Sequence, residues 1–264
     1  MIGWPVTHSR SPAIHTAAAE ATGADLVYVA FPVAPTDTEA AVDAMRTLGL
    51  RGLSVTMPHK ELVLPHLDGL TDAAQALGAV NCITNTDGRL VGDNTDGEGF
   101  VLGLRHDSGR AIDGRHVVVV GAGGAARAIV RACAEAGAST VTVLNRTAER
   151  AEAAAAMAGE AGRANDPTAL ATADIVVNAT PCGMAGTDQA DRLPFDVDET
   201  APHAEIVDIV YNPRLTPLLA AARQSDRIAY GGLSMLAGQA AAQFSSWTGL
   251  EAPLSTLMAA AIGD

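Results

Sequence analysis

The chain carries 16 arginines and a single lysine, Lys60. Its other permanently charged side-chain cations are all guanidinium, so the one ammonium is either chance or the mark of a place where guanidinium cannot serve. Lysine can release a proton within reach of neutral pH when its surroundings shift its pKa, which arginine effectively cannot do. Lys60 closes the run Val55-Thr56-Met57-Pro58-His59-Lys60, just after a strand-like stretch and on the opening turn of a helix. A second run, Asn94-Thr95-Asp96-Gly97, also follows a strand and falls where the character of the sequence changes. In open α/β sheets, ligands bind at the carboxyl ends of strands. A lysine and an aspartate brought together there suit carbonyl reduction: the ammonium polarises the carbonyl and supplies a proton as hydride arrives, while the carboxylate orients the amine and anchors a substrate hydroxyl. The plainer readings are a surface lysine and an aspartate that caps its helix.

A hydride needs a carrier, and the sequence has a place for one. Four valines, 117–120, run into Gly121-Ala122-Gly123-Gly124 and then an Ala-rich stretch opening at Ala125. This is strand, turn and helix in the order of a dinucleotide fold. The first glycine makes the tight turn, the second lets backbone approach a pyrophosphate, and the small Ala126 allows helix and strand to pack closely. An NAD enzyme usually ends the following strand with Asp or Glu to hold the ribose 2′-hydroxyl. Here that strand ends in Asn145-Arg146-Thr147, with Arg150 one helical turn on. Two guanidiniums and a hydroxyl would suit a 2′-phosphate, which points to NADP(H); otherwise Arg146 and Arg150 are an ordinary solvated helix face.

The elements that must position these groups alternate along the chain: short β-branched runs and Ala-rich helical stretches, the pattern of a parallel α/β protein. Strands are expected at 26–33 and 52–56. A helix is expected over 12–22, with Ser11 as N-cap and Gly23 at its end, and another from Thr36, which has capping-box spacing to Glu39, to near Gly49. Segments 80–85 and 90–94 read as a hairpin across Asp87-Gly88. Beyond the Gly-rich turn come a helix over 125–136, a strand over 140–144, a helix over 148–158, and strands over 175–179 and 206–210. A helix over 217–224 and a strand over 228–230 follow. A long helix over 235–248 leaves this rhythm and is expected to pack back on the first domain. The expected organisation is a substrate domain of residues 1–97 plus 233–264, with a mainly parallel sheet, and a Rossmann-type nucleotide domain of residues 98–232.

At 264 residues, 48% hydrophobic and 18% charged, the composition is that of a globular protein of about two domains. A net charge of −13 opposes binding to nucleic acid or anionic membranes. No apolar run approaches the roughly 18 residues of a membrane span. Cys82, Cys133 and Cys182 are widely spaced and read as thiols of a reduced compartment, and no His or Cys spacing suggests a metal site. A cytoplasmic enzyme with a small-molecule substrate, acting as monomer or homodimer, is expected.

The residues singled out, together with others in the same order, resemble the shikimate dehydrogenase family. The resemblance covers nearly the whole chain: His8-Ser9-Arg10-Ser11-Pro12, residues 55–60, Gly78-Ala79-Val80-Asn81, residues 94–97, 121–126 and 145–147, Asn178-Ala179-Thr180-Pro181, Asp208 to Pro213, and Gly232 to Gln239. It implies a two-domain enzyme that reduces 3-dehydroshikimate reversibly with NADPH, in chorismate and aromatic amino-acid biosynthesis. It implies Lys60 and Asp96 as the catalytic pair, and Ser9, Ser11 and Tyr211 around the substrate carboxylate. Thr56, Asn81, Asp96 and Gln239 would meet the ring hydroxyls, and Gly232 and the backbone near Ile209 would line the nicotinamide. The turn Gly121, Ala122, Gly123, Gly124 and Ala125, with Asn145, Arg146, Thr147 and Arg150, would hold the rest of the cofactor. Ser54 departs from the asparagine that the family often has at this point. Related readings are a quinate or aminoshikimate dehydrogenase. Glutamyl-tRNA reductase, of similar architecture, would need a basic surface that this charge opposes. From another class, a non-catalytic NADP(H) sensor would have no use for the lone lysine.

Overall fold

Asp87 and Gly88 both adopt positive φ, 52° and 88°, the backbone that a two-residue hairpin turn requires. They join two strands of a computed structural model that describes residues 1–7, 9–166 and 168–262; His8 of the first motif lies outside the described residues. By its internal contacts the chain divides into two units, Met1–Gly99 with Leu236–Asp264, and Phe100–Met235. The divisions fall inside two continuous helices, a few residues beyond the glycines at which the sequence changes character.

The first unit opens with β1 (Ile2–Gly3), α1 (Ser11–Thr22), β2 (Phe31–Pro32), α2 (Thr38–Thr47), β3 (Gly52–Ser54) and α3 (His59–Leu62). It continues with β4 (Gly69–Leu70), α4 (Asp72–Leu77), β5 (Cys82–Thr86), β6 (Arg89–Asp93) and the start of α5 (Asp96–Ser108). Parallel pairings join β1 to β2, Ile2 to Val55, and β4 to β6, while the hairpin β5–β6 and the pair β3–β5 are antiparallel. Ile2, Leu53, Val55, Ile83 and Leu90 from these strands bury against Val42 and Met45 of α2.

Of the strand expected over 26–33, only β2 is regular strand, its partner β1 being two residues long; just before it Val29 O accepts from the Met1 amine at 2.6 Å, and Val27 and Val29 are exposed. Ser11 is the first residue of α1 and not its cap; Arg10 stands at the cap position without a side-chain cap bond, and Gly23 ends the helix in the left-handed conformation. The Thr36 box does not form, because Pro35–Asp37 is a 3-10 turn and α2 begins at Thr38.

In the second unit, β7 (His116–Val120), α6 (Gly124–Glu135), β8 (Thr140–Leu144), α7 (Ala148–Ala155) and β9 (Gly162–Ala164) make one half. β10 (Ile175–Asn178), β11 (Glu205–Asp208), α8 (Pro217–Gln224) and β12 (Ala229–Gly231) make the other. All six strands are parallel, in the order β12-β11-β10-β7-β8-β9. The inner residues of β7, β10 and β11 are apolar because both faces of the sheet are covered. Val117, Val119, Ile175 and Val177 enter one core, and Val118, Val176 and Ile206 enter the other. Strand order reverses between β7 and β10, the point where such sheets open a crevice. Strand β9 had no signal in the sequence, being three residues of Gly-Arg-Ala.

The chain ends with α9 (Leu233–Thr248) and α10 (Leu254–Ile262). From Leu236 on, α9 belongs to the first unit, where Trp247 Nε1 donates to Ile83 O and α10 packs on α1. α5 and α9 approach so closely that a Cβ on Gly99 would lie 2.7 Å from Gln239 Cα. Overpacking against backbone cannot be relieved by a rotamer change. Gly99→Ala should therefore destabilise the protein by about 1–3 kcal/mol, read as a lower denaturant midpoint; an unchanged midpoint would show that this approach is looser than described.

Candidate active site

Two strand ends carry the chemistry of the first unit. After β3, Val55 is held by its bridge to Ile2, and His59 N–H closes the turn by donating to Thr56 O at 2.9 Å. His59 is fully buried, with Nδ1 2.8 Å from Thr38 Oγ1 and Nε2 2.9 Å from Val33 O. That anchors α3, and Lys60 is its next residue. After β6, Asn94 Oδ1 accepts the Asp96 N–H at 3.2 Å and Asn81 Oδ1 accepts the Thr95 N–H at 2.8 Å. These two side chains take the donors at the start of α5, so the Asp96 carboxylate is not its helix cap. It receives Lys60 Nζ on Oδ2 at 2.6 Å and Asn81 Nδ2 on Oδ1 at 2.8 Å.

The Asp96 side chain is 13% exposed and that of Lys60 30%, so the pair is reachable from solvent without being fully hydrated. The ammonium keeps donors for a further acceptor, and the carboxylate keeps acceptor positions for a hydroxyl. Thr56 lies at the end of β3, its methyl packed against Gly3. Gln239, on α9, accepts Thr95 Oγ1–H on its backbone oxygen at 3.2 Å, which ties it to the Asn81–Asp96 group. Ser9 Oγ accepts the Ser11 N–H at 3.2 Å, at the entry to α1.

Tyr28, Ser54 and Gln243 form a buried set behind these residues: Tyr28 Oη–H donates to Ser54 Oγ at 2.6 Å, and Ser54 donates to Gln243 Oε1 at 2.5 Å. Sequence reasoning missed Tyr28 and Gln243. The available signal was the spacing of Gln239 and Gln243, one helical turn apart on one face.

In the second unit the Gly-rich turn separates two uses of glycine. Gly121 has φ 116°, and a Cβ there would meet Ala179 O at 2.8 Å. Gly123 and Gly124 have nothing within 4 Å of such a Cβ, so the protein itself does not demand glycine there. They line an open cradle at the start of α6, whose first-turn amides no side chain caps, the arrangement that accepts a pyrophosphate. Ala122 lies beside it, Ala125 is on the first turn, and Ala126 is fully buried against the sheet.

At the end of β8, Asn145 N–H donates to Asn165 Oδ1 and Asn145 Nδ2 donates to Thr147 O, both at 3.0 Å. Arg146, Thr147 and Arg150 are exposed there. Among the described residues neither arginine is paired with a carboxylate. These residues fit a phosphorylated dinucleotide. Next to Gly121, Asn178 fixes the loop after β10: its Oδ1 accepts from Thr180 and its Nδ2 donates to Asp208 Oδ1. Burial holds the Asp208 carboxyl above the ordinary aspartate range.

Gly232 is packed against Ile209 O, in a recess also lined by Phe100, Tyr230 and Met235. Tyr211, on the same unit, is 42% exposed. The structure thus joins Lys60, Asp96, Asn81 and Gln239 in one unit, and Ile209 and Gly232 in the other.

Known proteins are similar to this chain along its length. Residues 1–83 match the shikimate dehydrogenase substrate binding domain, residues 104–214 the shikimate / quinate 5-dehydrogenase domain, and residues 232–262 the shikimate 5′-dehydrogenase C-terminal domain. The shikimate dehydrogenase (NADP(+)) of Symbiobacterium thermophilum is 42% identical over 276 residues, covering 99% of this chain and 92% of that protein. The chain belongs to the shikimate dehydrogenase family.

Two solved structures extend the comparison. Shikimate 5-dehydrogenase from Thermus thermophilus, in complex with NADP(H) and shikimate, superposes with a TM-score of 0.90 at 37% identity, over 99% of this chain and 97% of that one. Quinate dehydrogenase from Corynebacterium glutamicum, in complex with NAD, gives 0.88 at 33% identity, over 100% and 97%. Among the described residues of this shikimate dehydrogenase family member, no helix is long and apolar enough to cross a membrane.

The two kinds of glycine predict opposite behaviour. Gly121→Ala should lower stability by about 1–3 kcal/mol, because a left-handed backbone and a blocked Cβ act together. Gly123→Ala should leave stability within about 0.5 kcal/mol and weaken dinucleotide binding instead. Denaturation and cofactor titration of both variants check this, and a reversed pattern would refute it.

Proposed function

We propose that this protein catalyses the reversible, NADP(H)-dependent reduction of 3-dehydroshikimate to shikimate. The observation that carries this reading is the 2.6 Å contact between the only lysine and Asp96, in a chain of this family. When bound, NADPH supplies the hydride. Lys60 Nζ, oriented by Asp96 Oδ2, donates a hydrogen bond to the substrate's carbonyl oxygen and then a proton, and the amine regains that proton from solvent. In the oxidative direction it accepts the hydroxyl proton. Asp96 Oδ1 is held by Asn81, so the carboxylate cannot swing away from the amine.

Thr56, Asn81, Asp96 and Gln239 are the proposed partners of the ring hydroxyls, and Ser9, Ser11 and Tyr211 those of the carboxylate. Shikimate offers one carboxylate and three hydroxyls, which neutral donors and acceptors at fixed positions suit. On the second unit, Gly121, Ala122, Gly123, Gly124 and Ala125 would hold the pyrophosphate. Asn145, Arg146, Thr147 and Arg150 would hold the adenosine 2′-phosphate, and Ile209 and Gly232 would face the nicotinamide. The cytoplasm is the proposed compartment, in keeping with three free thiols, and a monomer or homodimer the proposed acting species.

The test is a panel of shikimate, quinate and aminoshikimate against NADP⁺ and NAD⁺. Shikimate with NADP⁺ should give the highest kcat/KM. Charge-assisted hydrogen bonds worth about 1.5–3 kcal/mol each should favour NADP⁺ by roughly a hundredfold or more. Replacing Arg146 and Arg150 together with alanine should collapse that preference, mainly through the KM for NADP⁺. Equal kcat/KM for the two cofactors in the unaltered protein would falsify the assignment.

Lys60 can be tested without mutagenesis, since an amine-selective reagent finds only this side chain and the N-terminal amine. Modification of Lys60, followed by peptide mapping, should track inactivation one for one, and bound shikimate should slow both. Loss of the proton donor should cost about 10²–10⁴ in kcat, and Lys60→Arg should not restore it because guanidinium keeps its proton. Full modification at an undiminished rate would end the mechanism.

A further inference from the structure

Gln243 is among the most buried polar residues of the first unit, 1% exposed, and no step of the proposed reaction uses it. Its amide orientation follows from chemistry. Nε2 lies 3.2 Å from the backbone oxygen of Asn81, which can only accept, so this atom must be the donor. Nε2 also reaches Gln239 Oε1 at 2.9 Å and Thr95 Oγ1 at 3.4 Å. The opposite atom, Oε1, therefore faces Ser54 and obliges that hydroxyl to donate. Ser54 has one proton, so its oxygen must accept from Tyr28. Burial holds the Tyr28 phenol protonated, with the Ser54 and Ser11 hydroxyls beside it acting the other way, so the donor at the head of the chain is fixed.

The same logic applies at the other end. Gln239 Nε2 lies 3.0 Å from the Leu236 backbone oxygen, which makes it the donor and turns Oε1 toward Gln243. The row Tyr28–Ser54–Gln243–Gln239 is thus polarised in one sense along its length. His15 seals it from the side: its ring stacks on Tyr28, with centroids 4.2 Å apart, and packs against Trp247. Burial lowers the His15 pKa to about 3, so the ring stays neutral.

A terminal amide rotates in a broad, two-fold well, and a flip exchanges donor for acceptor at nearly unchanged shape. Gln239 has one N–H and one lone pair left for a ligand, and which faces the ligand depends on the lock behind it.

We propose that Gln243 is a positioning residue of the substrate site, fixing the amide of Gln239 in one orientation through a hydrogen-bonded row anchored on Ser54 and Tyr28. This rests on the reading of Gln239 as a substrate contact. Ser54 is the joint of the row because its small hydroxyl both accepts and donates within one buried position.

The experiment measures kcat and KM for shikimate and for NADP⁺ in the unaltered protein and in Gln243→Met, Ser54→Ala and Tyr28→Phe. Methionine keeps the length of glutamine without its hydrogen bonds. Gln243→Met should raise the shikimate KM about tenfold, with kcat within about threefold and the NADP⁺ KM unchanged. Ser54→Ala and Tyr28→Phe should shift it in the same direction by about two- to fivefold, and they keep the proposal testable should Gln243→Met not fold. In a Gln239→Ala background, Gln243→Met should add less than about twofold, because its effect passes through the missing amide.

An inert unaltered protein would overturn the proposed function and this inference with it. An active protein would leave the function standing, and two results would then overturn the inference alone. One is a shikimate KM unmoved in Gln243→Met and Ser54→Ala. The other is a full effect of Gln243→Met persisting without Gln239.

Discussion

The first unit is organised around keeping one ammonium next to one carboxylate. Lys60 and Asp96 come from different strand ends, and each is locked by the residues around it. His59 and the α3 turn hold the lysine, while Asn81, Asn94 and Thr95 hold the aspartate. A partly buried ion pair gains little stability of its own and becomes costly when one partner is missing. The local structure therefore has to supply the aspartate's remaining hydrogen bonds, and Asn81 does so with both ends of its amide, donating to Asp96 and accepting from Thr95. Small residues on α5 and α9 serve the same end. Gly99 lets α9 approach until Gln239 and Gln243 reach Thr95 and Asn81.

The second unit solves a different problem, the approach of a backbone to an anion on a chain of net charge −13. It does so with local donors instead of a basic field. Gly121 is required by its own neighbours, Gly123 and Gly124 by no neighbour within the protein. The loop after β10 is held beside them by Asn178, which satisfies the Thr180 backbone and side chain at once. Exposed Arg146 and Arg150 then stand at the end of β8, where an acidic residue would repel a phosphate.

Much of this was legible beforehand, for reasons that differ by element. The six-stranded unit could be read because most of its strands carry runs of β-branched apolar residues, and the Gly-rich turn is a local signal. Its one unread strand, β9, has no β-branched residue to announce it. In the first unit, strands 26–33 and 52–56 were read longer than they are, since propensity does not know how long a partner strand will be. Ser11 and Thr36 look like caps by type and spacing. Ser11 lost that role because α1 already begins at it, after Arg10, and Thr36 because the 3-10 turn Pro35–Asp37 delays the start of α2 to Thr38.

By itself, then, the sequence determined what is local: most of the strands and helices, the left-handed glycines that end helices, the dinucleotide turn, and the types of residue available for proton transfer. Tertiary structure alone decided which of them meet. Lys60 and Asp96 are 36 residues apart, and Ser54 and Gln243 are 189 apart. Hydrogen-bond partners at such separations leave no periodicity in the chain, and a buried glutamine reads like any polar residue on a helix. Its place becomes visible only when packing excludes water and every polar atom must find its partner within the protein.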